Sequence, residues 1–451
     1  MQSEKTVADP KLERRIKAAL LLAEALENSG VPYAATSGID GFPDAIGRDI
    51  DLLVVERDRL AVVKAAAKAF RAAGWNLASR CRLNGHYWCF AIDDATKAVC
   101  EFDLAGPLQW GPAIFADHPC PDTKTGPFAV DSYGRLVKRL ILPLLAGKAE
   151  KVSKFNIDGF GIGEPGVTVS KRLQDFFGAD LSARLLAAVN RRSASDLLSL
   201  APELRQAVLS RSIRSVWKLP RAVVNRMREK LAVSPFEKSL APVVAIVGPD
   251  GVGKSTVINE LRELLPQLLP INGVTVRHWR PSLLPPLGRL AGQEVPLAGV
   301  AHPPRRKVGK LRWIRNLYYS LDFTLGAWLK DRPLSSFNKI IIYDRCYLDM
   351  QADPLRFGLP DAKGLQSLSG LYRRPDLVLL LEDSPERIHA RKPELSVAEI
   401  TDIYARWKAI GQHTKSFHSV SVDAGVPQTV NKVAHLIVGS AIELLLRGSK
   451  Q

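Results

Sequence analysis

Apolar and polar positions along the chain fall into three successive patterns. Residues 11–28 place Ile16, Leu20, Leu21 and Leu26 among charges at helical intervals and stop at Ser29-Gly30, which predicts a leading helix. A segment at 33–38, a loop through Gly47, and strand-like runs at 48–55 and 99–104 follow. From 133 to 242 apolar residues return to helical spacing, as in Leu136, Leu140, Leu144, Leu181, Leu185, Leu186, Leu197 and Leu198, and strand signals are scarce. Residues 155–168 interrupt this with Gly159, Gly161, Gly163, Pro165 and Gly166, which reads as a loop. After 242 the pattern changes again. Apolar runs at 243–247, 273–281, 339–345, 376–382 and 419–423 alternate with helical stretches, among them a long amphipathic one at 311–330. Strands alternating with helices predict a parallel sheet covered by helices on both faces.

The expectation is an α/β multidomain chain: an α+β domain at 1–128, a helical middle domain with a basic connector at 129–238, and a third domain at 239–451 built on a parallel five-stranded sheet. A length of 451 residues agrees with more than one core. The most apolar late stretch, 433–446, is shorter than a membrane span and contains His435 and Glu443, so it reads as an amphipathic core helix. No basic-then-apolar leader opens the sequence. Five cysteines, an odd number without C-x-x-C pairs, fit a reducing cytoplasm better than a disulfide framework. Cys81, His86 and Cys89 read as ordinary strand residues rather than zinc ligands.

Charge adds a direction. Lys and Arg number 63 against 46 Asp and Glu, a formal balance of +17, which favours anionic partners. The connector carries Arg205, Arg211, Arg214, Lys218, Arg221, Arg226, Arg228 and Lys230. A solvated helix face accounts for them better than nucleic acid or an anionic membrane surface does. The string Gly161 to Gly166 fits G-x-G-x-x-G but follows no clear strand, so it is set aside.

Chemistry concentrates in two places. Directly after the run 243–247, Gly248-Pro-Asp250-Gly251-Val-Gly253-Lys254-Ser255-Thr256 supplies G-x-x-x-x-G-K-[ST] and then a helix. The glycines let backbone N–H groups turn inward on phosphates, Lys254 reaches the outer phosphates, and Ser255 offers a hydroxyl to Mg²⁺. Asp344 and Arg345 end the third strand of this domain and Asp423 its fifth, where ligands of parallel sheets gather. In the first domain, Asp49 and Asp51 alternate onto one strand face, and Glu101 and Asp103 onto another. Carboxylates brought together in this way are a ready ligand set for a divalent cation.

These residues carry two resemblances. Ser37-Gly38, the Asp49 and Asp51 pair and Asp103 resemble the turn, D-x-D strand and later strand carboxylate of the DNA polymerase beta-like nucleotidyltransferases, over about residues 11–121. The resemblance implies Asp49, Asp51 and Asp103 as metal ligands. Residues 242–446 resemble the thymidylate kinase family of P-loop kinases: GPDGVGKST matches its loop, YDRCY its Asp-Arg strand end, and PDLVLLL with Pro385, Glu386, Arg387, Arg391 and Lys392 its fourth strand and lid. It implies Lys254 and Ser255 on the donor phosphates and metal, Asp250 and Arg345 at the acceptor, and Arg387, Arg391 and Lys392 closing over the phosphates.

Departures from that pattern fall in the acceptor half, where 277–281 reads RHWRP and Cys346 stands in place of an aromatic residue. With Asp353-Pro354-Leu355-Arg356, they look more like the divergent thymidylate kinase-like proteins that accompany bacterial surface-polysaccharide enzymes. The function implied is ATP- and Mg²⁺-dependent phosphoryl transfer to a phosphorylated acceptor, most simply a nucleoside monophosphate, with a nucleotidyltransferase-like domain alongside. Two alternatives stand beside it: a kinase of a sugar or polysaccharide precursor, and a nucleotide-gated regulatory or binding protein. The resemblance allows a dimer, and the sequence itself leaves the oligomer open.

Overall fold

A computed structural model describes residues 10–81, 86–111, 113–153, 167–213, 240–285, 312–357 and 374–449. The string at 161–166 and the connector from Arg214 to Lys230 lie outside the described residues. The chain forms two compact units, one holding residues 1–232 with the last four, the other 233–447.

The first unit is built on a mixed seven-stranded sheet. Its strands are β1 (Tyr33–Ser37), β2 (Asp49–Val54), β3 (Trp75–Cys81), β4 (Tyr87–Asp93), β5 (Val99–Ala105), β8 (Thr123–Thr125) and β9 (Phe128–Val130), in the order β3-β4-β5-β2-β1-β9-β8. A separate hairpin pairs β6 (Leu108–Trp110) with β7 (Ala113–Ala116). Strand alternation splits β2 between two cores. Ile50, Leu52 and Val54 pack with Leu22 and Leu26 of α1 (Pro10–Ser29) and Val62 and Phe70 of α2 (Arg59–Ala72). Leu53 points the other way, into a core formed by Leu136, Leu140, Leu144 and the helices α3 (Val167–Phe177), α4 (Ala179–Asn190) and α5 (Ala194–Ile213). Asp49 and Asp51 share the face of Leu53, so they look towards the helical side.

That side opens with a helical run over 132–145, whose middle, Val137–Ile141, is a π turn. Pro143 stands two residues after it and has no N–H to give to the turn before. The extra residue of the π turn absorbs the lost bond, and the Leu142 N–H closes on the Val137 carbonyl.

The second unit holds a sheet in which every pairing is parallel: β10 (Val243–Val247), β11 (Val274–His278), β12 (Ile340–Asp344), β13 (Leu377–Glu382) and β14 (Phe417–Ser421), ordered β11-β12-β10-β13-β14. The three inner strands are unbroken apolar runs, as strands covered on both faces must be. β10 is central. The chain winds from it towards β11 and β12 on one side and β13 and β14 on the other, which opens a crevice above its carboxyl end.

The helix α6 (Lys254–Leu268) turns Val257, Ile258, Leu261 and Leu265 inward. The amphipathic stretch predicted at 311–330 is α7 (Arg312–Gly326), a second π turn at Ala327–Asp331, and a last turn at Arg332–Ser336. Pro333 stands two residues after this π turn, the same spacing as Pro143 after the first. α8 (Pro385–Arg391) and α9 (Val397–Gln412) lie between β13 and β14 in sequence, and α10 (Val426–Ser449) ends the unit. Val426–Arg447 is long and apolar enough to cross a membrane by length and composition. Its buried residues Val430, Val433, Ala434, Ile437, Ala441 and Leu445 nevertheless form a single helical stripe, as in a core helix.

Candidate functional site

In the second unit the loop between β10 and α6 is fixed by close backbone approach. Gly248 adopts φ +140°, and a Cβ there would stand 2.8 Å from the Leu381 carbonyl oxygen on β13, so no side chain fits. Gly253 (φ +101°) is the N-cap from which α6 begins at Lys254. The Lys254 ammonium is buried and donates to the Gly248 and Pro249 carbonyls, each at 2.8 Å. Burial pulls its pKa down to about 8, although Asp344 and Asp349 oppose this. Ser255 and Thr256 stand exposed on the first turn of α6.

Asp250 gathers the neighbouring cations. Arg345 pairs with one carboxylate oxygen, Arg356 donates to the other at 2.6 Å, and Lys254 lies 3.6 Å away. Arg345 is held in the left-handed region (φ +75°), as is Trp279 (φ +65°) at the end of the adjacent strand β11. Such backbone costs about 1 kcal/mol or more in a non-glycine residue and persists where surrounding bonds impose it. Here the Arg345 N–H donates to Ile246 O at 3.2 Å and the Trp279 N–H to Asp344 O at 2.9 Å. Burial lowers the Arg345 guanidinium to about 10 and raises the Asp349 carboxyl to about 6. Asp349 receives the Cys346 N–H at 2.7 Å and faces Arg345 at 3.8 Å.

Asp344 closes β12 with its Oδ2 on His278 Nδ1 at 3.2 Å, while its buried Oδ1 has no hydrogen-bond partner among the described residues. An unmatched buried carboxylate oxygen in a crevice with the exposed Ser255 hydroxyl fits a divalent cation. The cations of α8 and its C-cap are engaged by carboxylates of their own unit. Arg387 pairs with Asp383 at 2.7 Å and with Asp423, and Arg391 pairs with Asp383 at 2.7 Å and donates to Gly251 O at 3.4 Å. Lys392 turns to Glu394 at 3.4 Å.

In the first unit, parallel pairing sets Asp49 beside Glu101 and Asp51 beside Asp103, a block of carboxylates on two neighbouring strands. Gly38 makes the approach possible: at φ +86° a Cβ would lie 1.9 Å from the Asp49 carbonyl oxygen. The Asp51 carboxylate is taken on both oxygens. Ser37 Oγ donates to Oδ2, and Lys138 Nζ lies 3.4 Å from Oδ1. Burial pushes the Asp51 pKa up, but Lys138 and Ser37 outweigh it and the net shift is downward. Lys138 itself is raised, chiefly by Asp51. Burial, with neighbouring carboxylates adding to it, lifts Glu101 to about 8 and Asp103 well above the carboxylate range. Asp49 is raised for the same reasons.

The structure thus brings Asp49, Asp51 and Asp103 to one face of two neighbouring strands. Among the described residues no group of three or more His, Cys, Asp or Glu side chains is set to hold a metal ion. The Lys138 ammonium, 3.4 Å from Asp51 Oδ1, is a positive charge set against this block.

No family model matches the sequence, and no curated protein matches it. Among solved structures the chain is similar to thymidylate kinase from Ehrlichia chaffeensis, with 15% identity and a TM-score of 0.31, covering 44% of this chain and 98% of that one. It is also similar to a gluconokinase from Sinorhizobium meliloti 1021, with 14% identity and a TM-score of 0.25, covering 47% and 99%.

Several residues of these clusters were not singled out by sequence reasoning. Lys138 lay in an ordinary helical pattern, and Asp383 followed an apolar run as any solvated strand end does. In the sequence His278 and Arg356 stand out only as members of the runs 277–281 and 353–356. Their partners Asp344 and Asp250 are distant in sequence, so pairing could not be read from local spacing.

Proposed function

We propose that the second unit is an ATP- and Mg²⁺-dependent phosphotransferase that moves the γ-phosphoryl group to a phosphorylated acceptor, most simply a nucleoside monophosphate. The observation that carries this reading is the Asp250 carboxylate between Arg345 and Arg356, one loop turn from the buried Lys254. It joins a donor-phosphate loop to a second cationic site that suits an acceptor's own phosphate.

Lys254 rests its ammonium on the Gly248 and Pro249 carbonyls until donor phosphates arrive to accept its N–H groups. The negative charge they bring also favours the ammonium that burial disfavours. Ser255 and Asp344 would hold the metal, which supplies charge neutralisation on the donor phosphates when bound. Arg345 and Arg356 orient the acceptor phosphate. An oxygen of that phosphate attacks the γ-phosphorus, the bond from that phosphorus to the bridging oxygen breaks, and ADP leaves with the electron pair. Arg387 and Arg391, paired with Asp383 here, are the groups available to meet charge spread over the transferring phosphoryl.

Acceptor-dependent release of ADP tests the proposal. The panel sets nucleoside monophosphates beside phosphorylated sugars and unphosphorylated controls. Release that is slow and indifferent to every acceptor would sink the transferase reading and leave a nucleotide-binding switch.

A further inference from the structure

We propose that Lys138 is a built-in counter-ion of the carboxylate block in the first unit, standing where a divalent cation would otherwise bind and keeping Asp51 and Asp103 free of metal. The strand register alone creates the need. Asp49 faces Glu101 and Asp51 faces Asp103 on adjacent parallel strands, and carboxylates this close cannot all stay charged without a cation. Lys138 supplies such a charge: its Nζ reaches Asp51 Oδ1 at 3.4 Å while Ser37 donates to Oδ2.

Two features make this more than a chance surface pair. Asp51 is buried and Lys138 half-buried, so solvent screens their attraction little. Lys138 is also delivered by a braced element. It sits in the π turn Val137–Ile141, the next residue Arg139 pairs with Asp40, and Arg135 one turn earlier pairs with the same carboxylate. Asp40 lies in the loop that leaves β1 just beyond Ser37-Gly38. The helical run is therefore tied to the loop on one side and to β2 on the other, and the ammonium has little freedom to swing away. A fixed positive charge there both occupies an oxygen that a metal would need and repels an incoming dication.

Removing the charge should open the site, because Asp103 Oδ1 is buried with no hydrogen-bond partner among the described residues and Asp51 Oδ1 would join it. The test uses the full-length protein and Mn²⁺ alone, without nucleotide, read by the electron paramagnetic resonance signal of free ion and by melting temperature. Wild type should show no Mn²⁺ uptake that depends on Asp51. Lys138→Met should bind Mn²⁺ at least about tenfold more tightly than wild type, and Mn²⁺ should raise its melting temperature. Lys138→Arg should keep the wild-type behaviour, and Lys138→Met with Asp103→Asn should lose the gain. Lys138→Gln, which discards the charge and keeps a long side chain, covers a Lys138→Met that does not fold. Uptake by wild type that persists in Asp344→Asn and vanishes in Asp51→Asn overturns the proposal, and so do folded charge-free variants that gain no metal.

Discussion

At the scale of single residues, the two sides of Asp250 should fail differently. In the proposed reaction Lys254 serves donor phosphates, so Lys254→Ala is expected to depress turnover with every acceptor by about a hundredfold or more, the loss typical of a removed transition-state charge donor. Arg345→Ala should instead raise the acceptor KM while ATP binding persists, because Arg356 still holds the loop carboxylate Asp250 and Lys254 keeps its bonds to the Gly248 and Pro249 carbonyls. Were Arg345 only a structural partner of Asp250 and Asp349, the variant would lose melting temperature and both substrates would suffer alike. ATP affinity, acceptor KM and thermal unfolding of the two variants separate these outcomes. Asp349 gives a pH test in the same cluster. Burial raises its folded pKa to about 6, against an ordinary value of 3.8. The protonated form is therefore the one the fold favours: its contribution to stability is full below about pH 4 and is lost as pH rises towards 6. A shift of this size corresponds to roughly 3 kcal/mol. Asp349→Asn, which cannot ionise, should show a flatter dependence of melting temperature on pH between 4 and 6, and parallel curves for the two proteins would refute the assignment.

Among elements, the two π turns show what the sequence displayed and what it hid. The inner strands of the parallel sheet were legible because consecutive apolar residues such as Ile340, Ile341 and Ile342 have few other uses at that length. Helical periodicity from 133 onward and at 311–330 was legible too. A π turn, however, adds one residue without changing composition, so the register slip that aims Lys138 and Arg139 at Asp51 and Asp40 left no apolar signature. The slip at Ala327–Asp331 likewise sets Asp331 to pair with Arg277 at 3.2 Å and to accept from Tyr343. The usable sign was proline. Pro143 and Pro333 each stand two residues past the turn, where an uninterrupted α-helix would lose a bond and clash with the carbonyl four residues back. A proline inside a helix costs about 3 kcal/mol relative to alanine, so Pro143→Ala would stabilise an ordinary helix by that order. Here the π register already accommodates the ring, and reverting to α would pull Lys138 and Arg139 off their carboxylates. The expected result is a melting temperature unchanged or lower. A clear rise would mean that the turn is strain rather than a device.

Over the whole molecule, the separation of chemistry follows the separation of cores. In the second unit Asp250, Asp344 and Arg345 sit on loops and strand ends of one five-stranded parallel sheet, Lys254 and Ser255 on the first turn of α6, and Arg387 and Arg391 on α8 after β13. That sheet is complete between Val243 and Ser421, and the helices from Lys254 to Ser449 supply the apolar residues that cover it. Among the described residues, no strand before 240 joins it. A domain that carries its own sheet and covering helices has what independent folding needs. A fragment starting near Ser234 and running to the end of the chain is therefore expected to be soluble, to unfold in a single cooperative transition, and to bind ATP with Mg²⁺ about as tightly as the full chain does. Lys254→Ala in the fragment should abolish that binding or weaken it as it does in the intact protein, which ties the signal to the loop rather than to exposed basic surface. Calorimetry of both lengths decides the point. An insoluble fragment, or one that folds but binds ATP much more weakly, would place part of the nucleotide site's support in residues before 234, and the two units would then have to be treated as one functional body.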